Sequence, residues 1–231
     1  MQNTGVSGSG TAPPNPAGWP DEVLAIVRGA ITCEFATLTS DGRPVTWPVT
    51  PYLGEDGRTI DISTGLAYPM KAERARRMPV CSILFSDPVG SGLPDPPAVL
   101  VHGFASVRDR DLQANTDRYV RLSMGKVPDA WRGVPPFVIR MQRWCWARIW
   151  VQVTPIRIAW WPGGNTSGPS RTWDAPAGTR APDSDFSLPV GRARQPAGFL
   201  GAGLVLSRRA RLEAARRGQR VPRVRLPRPA A

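Results

Sequence analysis

The stretch from residue 33 to residue 63, CEFATLTSDGRPVTWPVTPYLGEDGRTIDIS, contains three β-rich segments that are separated by two turn signals. Cys33 to Thr39 is rich in strand-forming residues, and the Ser40-Asp41-Gly42-Arg43 that follows is typical of a tight hairpin. A second turn signal, Asp56-Gly57, leads into the segment from Thr59 to Ser63. Between the turns, apolar residues alternate with threonine and proline, at Val45, Trp47 and Val49. The stretch therefore predicts a meander of three antiparallel strands.

The rest of the chain adds more strand patterns and few helical ones. Further strands are predicted at Val80 to Phe85, Ala98 to Val107, Ala147 to Thr154 and Ile156 to Trp161. Short helices are predicted from Pro20 to Arg28 and after Pro69, and Asp109 is predicted to cap a third helix that extends to about Met124. Six or seven strands with two or three short helices indicate a mainly β fold, a small antiparallel barrel rather than a doubly wound βαβ sheet.

Composition divides the 231-residue chain into three parts. Residues 1–17 are rich in Gly, Ser, Pro, Asn and Thr and are expected to form a flexible leader. Residues 18–162 carry the strand patterns and form the predicted domain. After Trp161 the periodicity stops, and the Pro/Gly/Arg-rich residues 163–231 are expected to be mostly disordered, although Leu206 to Arg217 is compatible with a helix.

The net charge of +12 belongs mainly to the end of the chain. Residues 171–231 carry a net charge of +9, whereas residues 1–170 carry only +3. We therefore expect no specific nucleic-acid binding by the domain, and weak, salt-sensitive contacts of the tail with anionic surfaces. No apolar run is long enough for a membrane span and no signal peptide is recognisable, so a cytoplasmic location is expected.

Several chemistries have no support in the sequence. The three cysteines form no CxxC pair, and a single histidine, His102, all but excludes a His-rich metal site, so no metal is predicted. No GxSxG elbow, phosphate-binding P-loop or dinucleotide-binding glycine motif occurs. The catalytic residues, if any, cannot be assigned from these patterns.

One segment does carry a chemical signal. A predicted strand ends in Ser63-Thr64-Gly65, and a helix begins within a few residues, with Lys71 in its first turn. Hydroxyl groups, backbone N–H groups, the helix dipole and an ammonium would converge there, as they do around bound phosphates. The alternative is an ordinary strand-to-helix turn with an exposed Lys71.

The ordered series from Glu34 to Phe85 resembles the pyridoxamine 5'-phosphate oxidase-like, FMN-binding split-barrel superfamily. Phe35 to Pro44 is similar to its first hairpin, Thr46 to Pro51 to the strand whose backbone edge meets the flavin ring, and Ile62 to Gly65 to the strand end that holds ribityl and phosphate oxygens. Lys71 matches the phosphate lysine, and the segment Met78 to Phe85 resembles the next helix exit and strand. The likeness extends over roughly residues 20–161.

The resemblance implies a six- to seven-stranded antiparallel split barrel that forms a homodimer. It also implies an oxidoreductase that binds FMN, or alternatively a deazaflavin coenzyme, and transfers a hydride to or from a small organic substrate. The implied cofactor contacts are Ser63, Thr64 and Lys71 for the phosphate side, and Trp47, Pro48, Val49 and Thr50 for the ring.

This chain departs from the oxidase itself at three places, one of which is that the C-terminal arginine motif of the oxidase is not recognisable here. Met70 stands where the oxidase has an arginine before the phosphate lysine, and the strand from Val45 to Tyr52 has no Lys or Arg. These departures argue against oxidation of pyridoxamine 5'-phosphate by this chain. They also predict a weaker hold on the phosphate of the cofactor.

Two other classes of function remain open from the sequence. The barrel could be a non-catalytic module that binds haem or another ligand, or the tail could make the protein a nucleic-acid binder. Nine tryptophans, with Trp144, Trp146 and Trp150 on one alternating face, would line either an apolar substrate pocket or the core and the dimer interface.

Overall fold

The computed structural model describes residues 15–86, 91–141 and 147–185. The strands in this part of the chain are β1 (Cys33–Leu38), β2 (Pro44–Val49), β3 (Pro51–Leu53), β4 (Ile60–Gly65), β5 (Val80–Phe85), β6 (Ala98–Arg108), β7 (Arg148–Trp161) and β8 (Arg171–Asp174). The helices are α1 (Asp21–Gly29), α2 (Met70–Arg77), α3 (Leu112–Lys126), α4 (Pro128–Trp131) and α5 (Pro136–Met141), with a 3-10 turn at Pro162–Gly164.

The strands form one antiparallel sheet in the order β2-β1-β5-β6-β7-β4-β3, with β8 added beside β7. The sheet curls into a half-barrel, which confirms the prediction of a mainly β, antiparallel fold. The predicted β1–β2 hairpin pairs Cys33 with Val49 and Leu38 with Pro44. In the described part of the chain no helix is both long and apolar enough to cross a membrane.

The core lies inside the curl of the sheet. Inward positions alternate along the strands as the period of two predicts, for example Cys33 and Phe35 on β1, or Ile60 and Ile62 on β4. Helix α1 contacts β3 and buries its apolar side, which consists of Val23, Leu24, Ile26 and Val27. Burial of each such side chain contributes about 1.5–3 kcal/mol to folding.

Strand β7 is a single strand of 14 residues, not the two strands that the sequence predicts. Pro155 suggested a break, but the ladder with β6 shifts its register between His102 and Gly103, so that Gly103 faces Pro155 and His102 faces Arg157. Ile156 is the extra residue of this β-bulge, and a bulge is a place where a sheet accepts proline. A Cβ at Gly103 would lie 2.5 Å from the Thr154 carbonyl oxygen, so only glycine fits there.

The chain also continues in ordered form beyond Trp161, where the sequence analysis expected mostly disorder. β8 pairs with β7 at Arg157 to Trp160, and residues 183–185 return to the end of β6. The four residues of β8 are too few to show a period in the sequence. Residues 186–231, including the segment compatible with a helix, lie outside the described residues, as do residues 1–14 of the expected leader.

Helix α3 begins two residues later than predicted. Asp111 is its N-cap, and its carboxylate accepts a hydrogen bond from the Ala114 N–H at 2.9 Å. Asp109, the predicted cap, is buried and forms an ion pair with Arg76 at 2.6 Å. Asp109 and Asp111 are both possible caps in the sequence. Asp111 caps the helix because the ion pair with Arg76 engages Asp109.

Candidate anion-binding site

The turn between β4 and α2 is built from backbone hydrogen bonds. The Tyr68 N–H donates to the Gly65 carbonyl at 2.8 Å, and the buried Thr64 hydroxyl donates to the Tyr68 carbonyl at 2.8 Å. Ser63 is half-buried on the same strand. Helix α2 then starts at Met70 after Pro69, with no side-chain cap on its N-terminus. The predicted strand–turn–helix is therefore present, and the Thr64 hydroxyl is engaged in shaping the turn.

Lys71 projects from the first turn of α2 toward β2. Its Nζ lies 5.8 Å from the centre of the Trp47 ring, which is half exposed. This contact brings together two residues that the sequence analysis assigned to opposite ends of the cofactor. Cation–π contacts at such distances contribute about 0.5–1 kcal/mol at exposed sites.

Two arginines that the sequence analysis did not select join Lys71. Arg74 lies one turn further along α2, and its Nε donates to the Thr37 hydroxyl on β1 at 2.9 Å. The Nη2 of Arg74 is buried without a hydrogen-bond partner among the described residues. Arg148 begins β7 directly opposite Gly65, the last residue of β4.

The charges of these three residues interact. The pKa of Lys71 is lowered, first by burial and then by the positive charges of Arg74 and Arg148. Burial also lowers the pKa of Arg74. Positive charges that disfavour the protonated form of Lys71 mark a site of positive electrostatic potential, and such a site favours an anion.

The four residues expected along the ring differ in their surroundings. Trp47 and Pro48 are exposed, Thr50 is half-buried between β2 and β3, and the Val49 side chain packs in the core. Val49 can therefore meet a ligand only through its backbone. β2 stands at one end of the sheet order, so within the described residues its outer backbone edge is not paired with another strand.

The sequence could have pointed to Arg74 as a site residue, but not to Arg148. Arg74 is three residues after Lys71, and this spacing on a helix places both on one face, so the sequence contained that information. Arg148 is separated from Gly65 by more than 80 residues, and only the β4–β7 register brings the two together.

The described tryptophans and cysteines of the core are structural. Trp150 is buried, packs edge-to-face on Tyr52 at 5.4 Å, and donates its ring N–H to the Asn115 carbonyl at 3.1 Å. Burial raises the pKa of the Cys33 and Cys81 thiols to about 12, which makes both unreactive. Trp144, Trp146 and Cys145 lie outside the described residues.

A cleft at the far end of α2 is separate from the cationic cluster. It has a volume of about 530 Å³ and lies between Arg76, Phe104 and the chain segment 180–184. None of Lys71, Arg74 and Arg148 lines it.

In fold, the chain is similar to pyridoxamine 5'-phosphate oxidase-like, FMN-binding proteins. One is a pyridoxamine 5'-phosphate oxidase-related, FMN-binding protein from Nostoc punctiforme, with 14% identity over 69% of this chain and 97% of that chain at a TM-score of 0.45. Another is an F420 reductase, with 14% identity over 58% and 93% of the two chains at a TM-score of 0.43.

A third similar structure is a heme-binding protein from Mycobacterium smegmatis, with 17% identity over 71% of this chain and 60% of that chain at a TM-score of 0.45. No protein-family profile and no curated protein sequence matches this chain. The likeness is one of fold, and the groups named for the three proteins differ.

Proposed function

We propose that this protein is an oxidoreductase that binds FMN, or a deazaflavin in its place, and transfers a hydride between that cofactor and a small organic substrate. One observation carries the proposal: three cations crowd at the end of β4, beside an exposed tryptophan. The phosphate of the cofactor is assigned to Lys71, Arg74 and Arg148, with Ser63 and the N-terminus of α2 completing its surroundings.

A phosphate dianion fits this cluster electrostatically. It would offset the burial and the repulsion that together lower the pKa of Lys71, and it would offer an acceptor to the buried Nη2 of Arg74. Hydrogen bonds between charged partners contribute about 1.5–3 kcal/mol each. Arg74 and Arg148 supply positive charge that the oxidase's arginine at the position of Met70 would otherwise provide, and a firm hold on the phosphate is therefore part of this proposal.

The residues on the ring side fit a planar, mostly apolar group. Trp47 and Pro48 offer exposed surface on β2, and the unpaired edge of this strand offers backbone donors and acceptors to a heteroaromatic ring. When bound, a flavin or deazaflavin supplies the hydride chemistry itself, and the protein supplies position and exclusion of water.

A homodimer would complete the site. Trp47, Tyr68, Met70 and Val80 are each more than 50% exposed and belong to β2, α2, β5 and the turn before α2. Apolar surface near a binding site that is left open in one chain is typically covered by a partner or a ligand. A second copy of the chain on this side would cover it and close the pocket over the ring.

The test is a titration of the purified, cofactor-free protein with FMN and with a deazaflavin, followed by absorption and by quenching of the cofactor fluorescence. We expect Lys71→Ala to weaken the dissociation constant about tenfold to a hundredfold, because one charge-assisted contact is lost. Arg77→Ala is the matched control, since Arg77 is an exposed cation on the same helix and its loss is expected to change affinity less than twofold.

Equal affinities of the Lys71 and Arg77 variants would contradict the phosphate assignment. A Soret band in the purified protein, without uptake of either flavin, would contradict the oxidoreductase and favour a haem-binding barrel.

A further inference from the structure

The two ends of the Arg74 guanidinium have different surroundings. Its Nε donates to the Thr37 hydroxyl at 2.9 Å, whereas its Nη2 is buried and has no hydrogen-bond partner among the described residues. Arg76, two residues further along α2, instead pairs with the buried carboxylate of Asp109 at 2.6 Å. A buried donor is costly while it stays unpaired, so the Nη end of Arg74 suits an acceptor that a ligand brings.

Thr37 is a polar residue at an inward position of the sheet. It follows Cys33 and Phe35 on the same face of β1, and both of these belong to the apolar core. Thr37 itself is only 1% exposed, so its hydroxyl needs partners inside the protein. Helix α2 contacts β1, and the Arg74 side chain reaches the hydroxyl across this contact. The threonine therefore supplies an acceptor where the other inward residues of the strand supply none.

The hydrogen bonds of the Thr37 hydroxyl have a defined direction. An arginine Nε–H can only donate, so the hydroxyl accepts from Arg74 and gives its own hydrogen to the Val45 carbonyl on β2 at 3.4 Å. Val45 is also the residue that pairs with Thr37 in the β1–β2 ladder. The hydroxyl is thus oriented by the hairpin, and it holds Arg74 to a strand rather than to a loop.

A bond to Nε holds an arginine without using its terminal donors or its charge. The Nη groups lie at the far end of the same plane, and a neutral hydroxyl leaves the positive charge in place, whereas a carboxylate would cancel it. Lys71 stands one turn earlier on α2, and the positive charge of Arg74 contributes to the lowering of its pKa, so the two cations act on one volume. A side chain that is already fixed also loses less conformational freedom when it binds an anion.

We infer that Thr37 is a positioning residue of the anion site, and that its hydroxyl holds Arg74 so that the Nη end of the guanidinium meets the phosphate beside Lys71. This inference rests on the proposed function. Thr37 acts on the phosphate only through Arg74, since its hydroxyl is engaged by Arg74 and by the Val45 carbonyl. Loss of the hydroxyl should therefore weaken the binding of the phosphate and leave the binding of the ring unchanged.

The experiment measures how much the phosphate alone contributes to binding. The ratio of the riboflavin to the FMN dissociation constant is determined with the cofactor-free protein for the wild type, Thr37→Val, Thr37→Ala, Thr37→Ser, Arg74→Met and the double variant Thr37→Val/Arg74→Met. Riboflavin lacks the phosphate, so a variant that merely loosens the fold weakens both ligands and leaves the ratio unchanged. Two variants without the hydroxyl are included so that the test does not depend on the folding of either one.

We expect Arg74→Met to lower the ratio about tenfold, because one charge-assisted contact with the phosphate is lost. Thr37→Val and Thr37→Ala should each lower it by about threefold or more, whereas Thr37→Ser, which keeps the hydroxyl, should stay within about twofold of the wild type. The double variant is expected to equal Arg74→Met, because Thr37 acts only through Arg74. Thr154→Val is the matched control, since the buried Thr154 hydroxyl on β7 has no hydrogen-bond partner among the described residues.

The outcomes separate the two proposals. If Lys71→Ala lowers the ratio and neither Thr37→Val nor Thr37→Ala does, the role of Thr37 is overturned and the proposed function stands. If Thr37→Val lowers the ratio further in the Arg74→Met background, the action through Arg74 is overturned. If the wild type binds FMN no more tightly than riboflavin, the phosphate assignment and the role of Thr37 fail together.

Discussion

At the scale of single residues, the two lysines of this chain are its most informative cations. The other 28 basic residues are arginines, and Lys71 and Lys126 both lie against aromatic rings. Lys126 ends α3 and its Nζ donates to the Val27 carbonyl at 3.1 Å and to the Pro51 carbonyl. It therefore ties the last helix turn of α3 to α1 and to the start of β3, whereas Lys71 faces the proposed anion.

Lys126 predicts how stability depends on pH. Burial lowers its pKa to about 8 in the folded state, below the ordinary value of 10.5. A depressed pKa of a base means that the unfolded chain binds the proton more tightly, so folding is penalised below pH 8 and relieved as the pH rises toward 10.5. We expect the free energy of unfolding of the wild type to gain about 3 kcal/mol relative to Lys126→Met between pH 7.5 and pH 10.5.

Urea unfolding of both proteins at these two pH values measures this difference. Arg77→Met, which removes an exposed cation with an ordinary environment, should follow the wild type at both values. A constant difference between the wild type and Lys126→Met across the range would contradict the assignment.

At the scale of elements, the β6–β7 bulge lets one long strand of the half-barrel contain a proline. The extra residue Ile156 and the close approach of Gly103 to the Thr154 carbonyl let a single strand pass through Pro155 and bend. The same strand begins at Arg148, so its course also sets where the third cation of the site lies.

Gly103→Ala is expected to destabilise the protein by about 2–4 kcal/mol, because its Cβ would collide with the Thr154 carbonyl and with Val153. Gly125→Ala is the matched control. Gly125 lies in α3 with nothing within 4 Å of the added Cβ, and alanine there should stabilise the helix by up to about 1 kcal/mol. Denaturant unfolding measures the free energy of unfolding of the two variants. Similar changes in both variants would contradict the prediction and show that the bulge tolerates a side chain at Gly103.

At the scale of the whole described unit, the last residues that the structure describes contact the end of β6. The carboxylate of Asp185 accepts from the Asp109 N–H at 2.8 Å, and the Asp185 N–H donates to the Val107 carbonyl at 3.0 Å. The Ser184 hydroxyl accepts from the Val107 N–H at 2.9 Å. Ser184 and Asp185 thus satisfy backbone groups at the end of β6, beyond the point where β5 pairs with it.

Asp185→Ala should lower the free energy of unfolding by about 1–2 kcal/mol, because the buried end of β6 loses an acceptor. Asp183→Ala is the control, since the side chain of Asp183 is exposed and only its carbonyl is bonded, to Arg108. Its effect is expected to stay within about 0.5 kcal/mol. Thermal unfolding of both variants tests the contact, and equal midpoints would contradict it.

The sequence by itself determined the elements that rest on local chemistry. Alternating apolar residues gave the inward faces of β1 and β4, because side-chain direction in a strand repeats every two residues. The Asp-Gly turns gave the β1–β2 and β3–β4 hairpins, but not a three-stranded meander, because the predicted middle strand is divided into β2 and β3, which lie at opposite ends of the strand order. The position of Lys71 in the first turn of α2 was readable because Pro69 favours the start of a helix just before it. Residues 171–174 and the choice between Asp109 and Asp111 were not, since four residues show no period and two nearby aspartates look alike.

Only the tertiary structure decided what meets at the site. The opposition of Arg148 and Gly65 depends on the register of β4 and β7, and the hydrogen bond from Arg74 to Thr37 depends on where α2 packs against β1. No local pattern encodes these contacts, because they join segments far apart in the chain through the curl of one sheet. Strand and helix formation follows from neighbouring residues, whereas the convergence of three like charges follows from the fold as a whole.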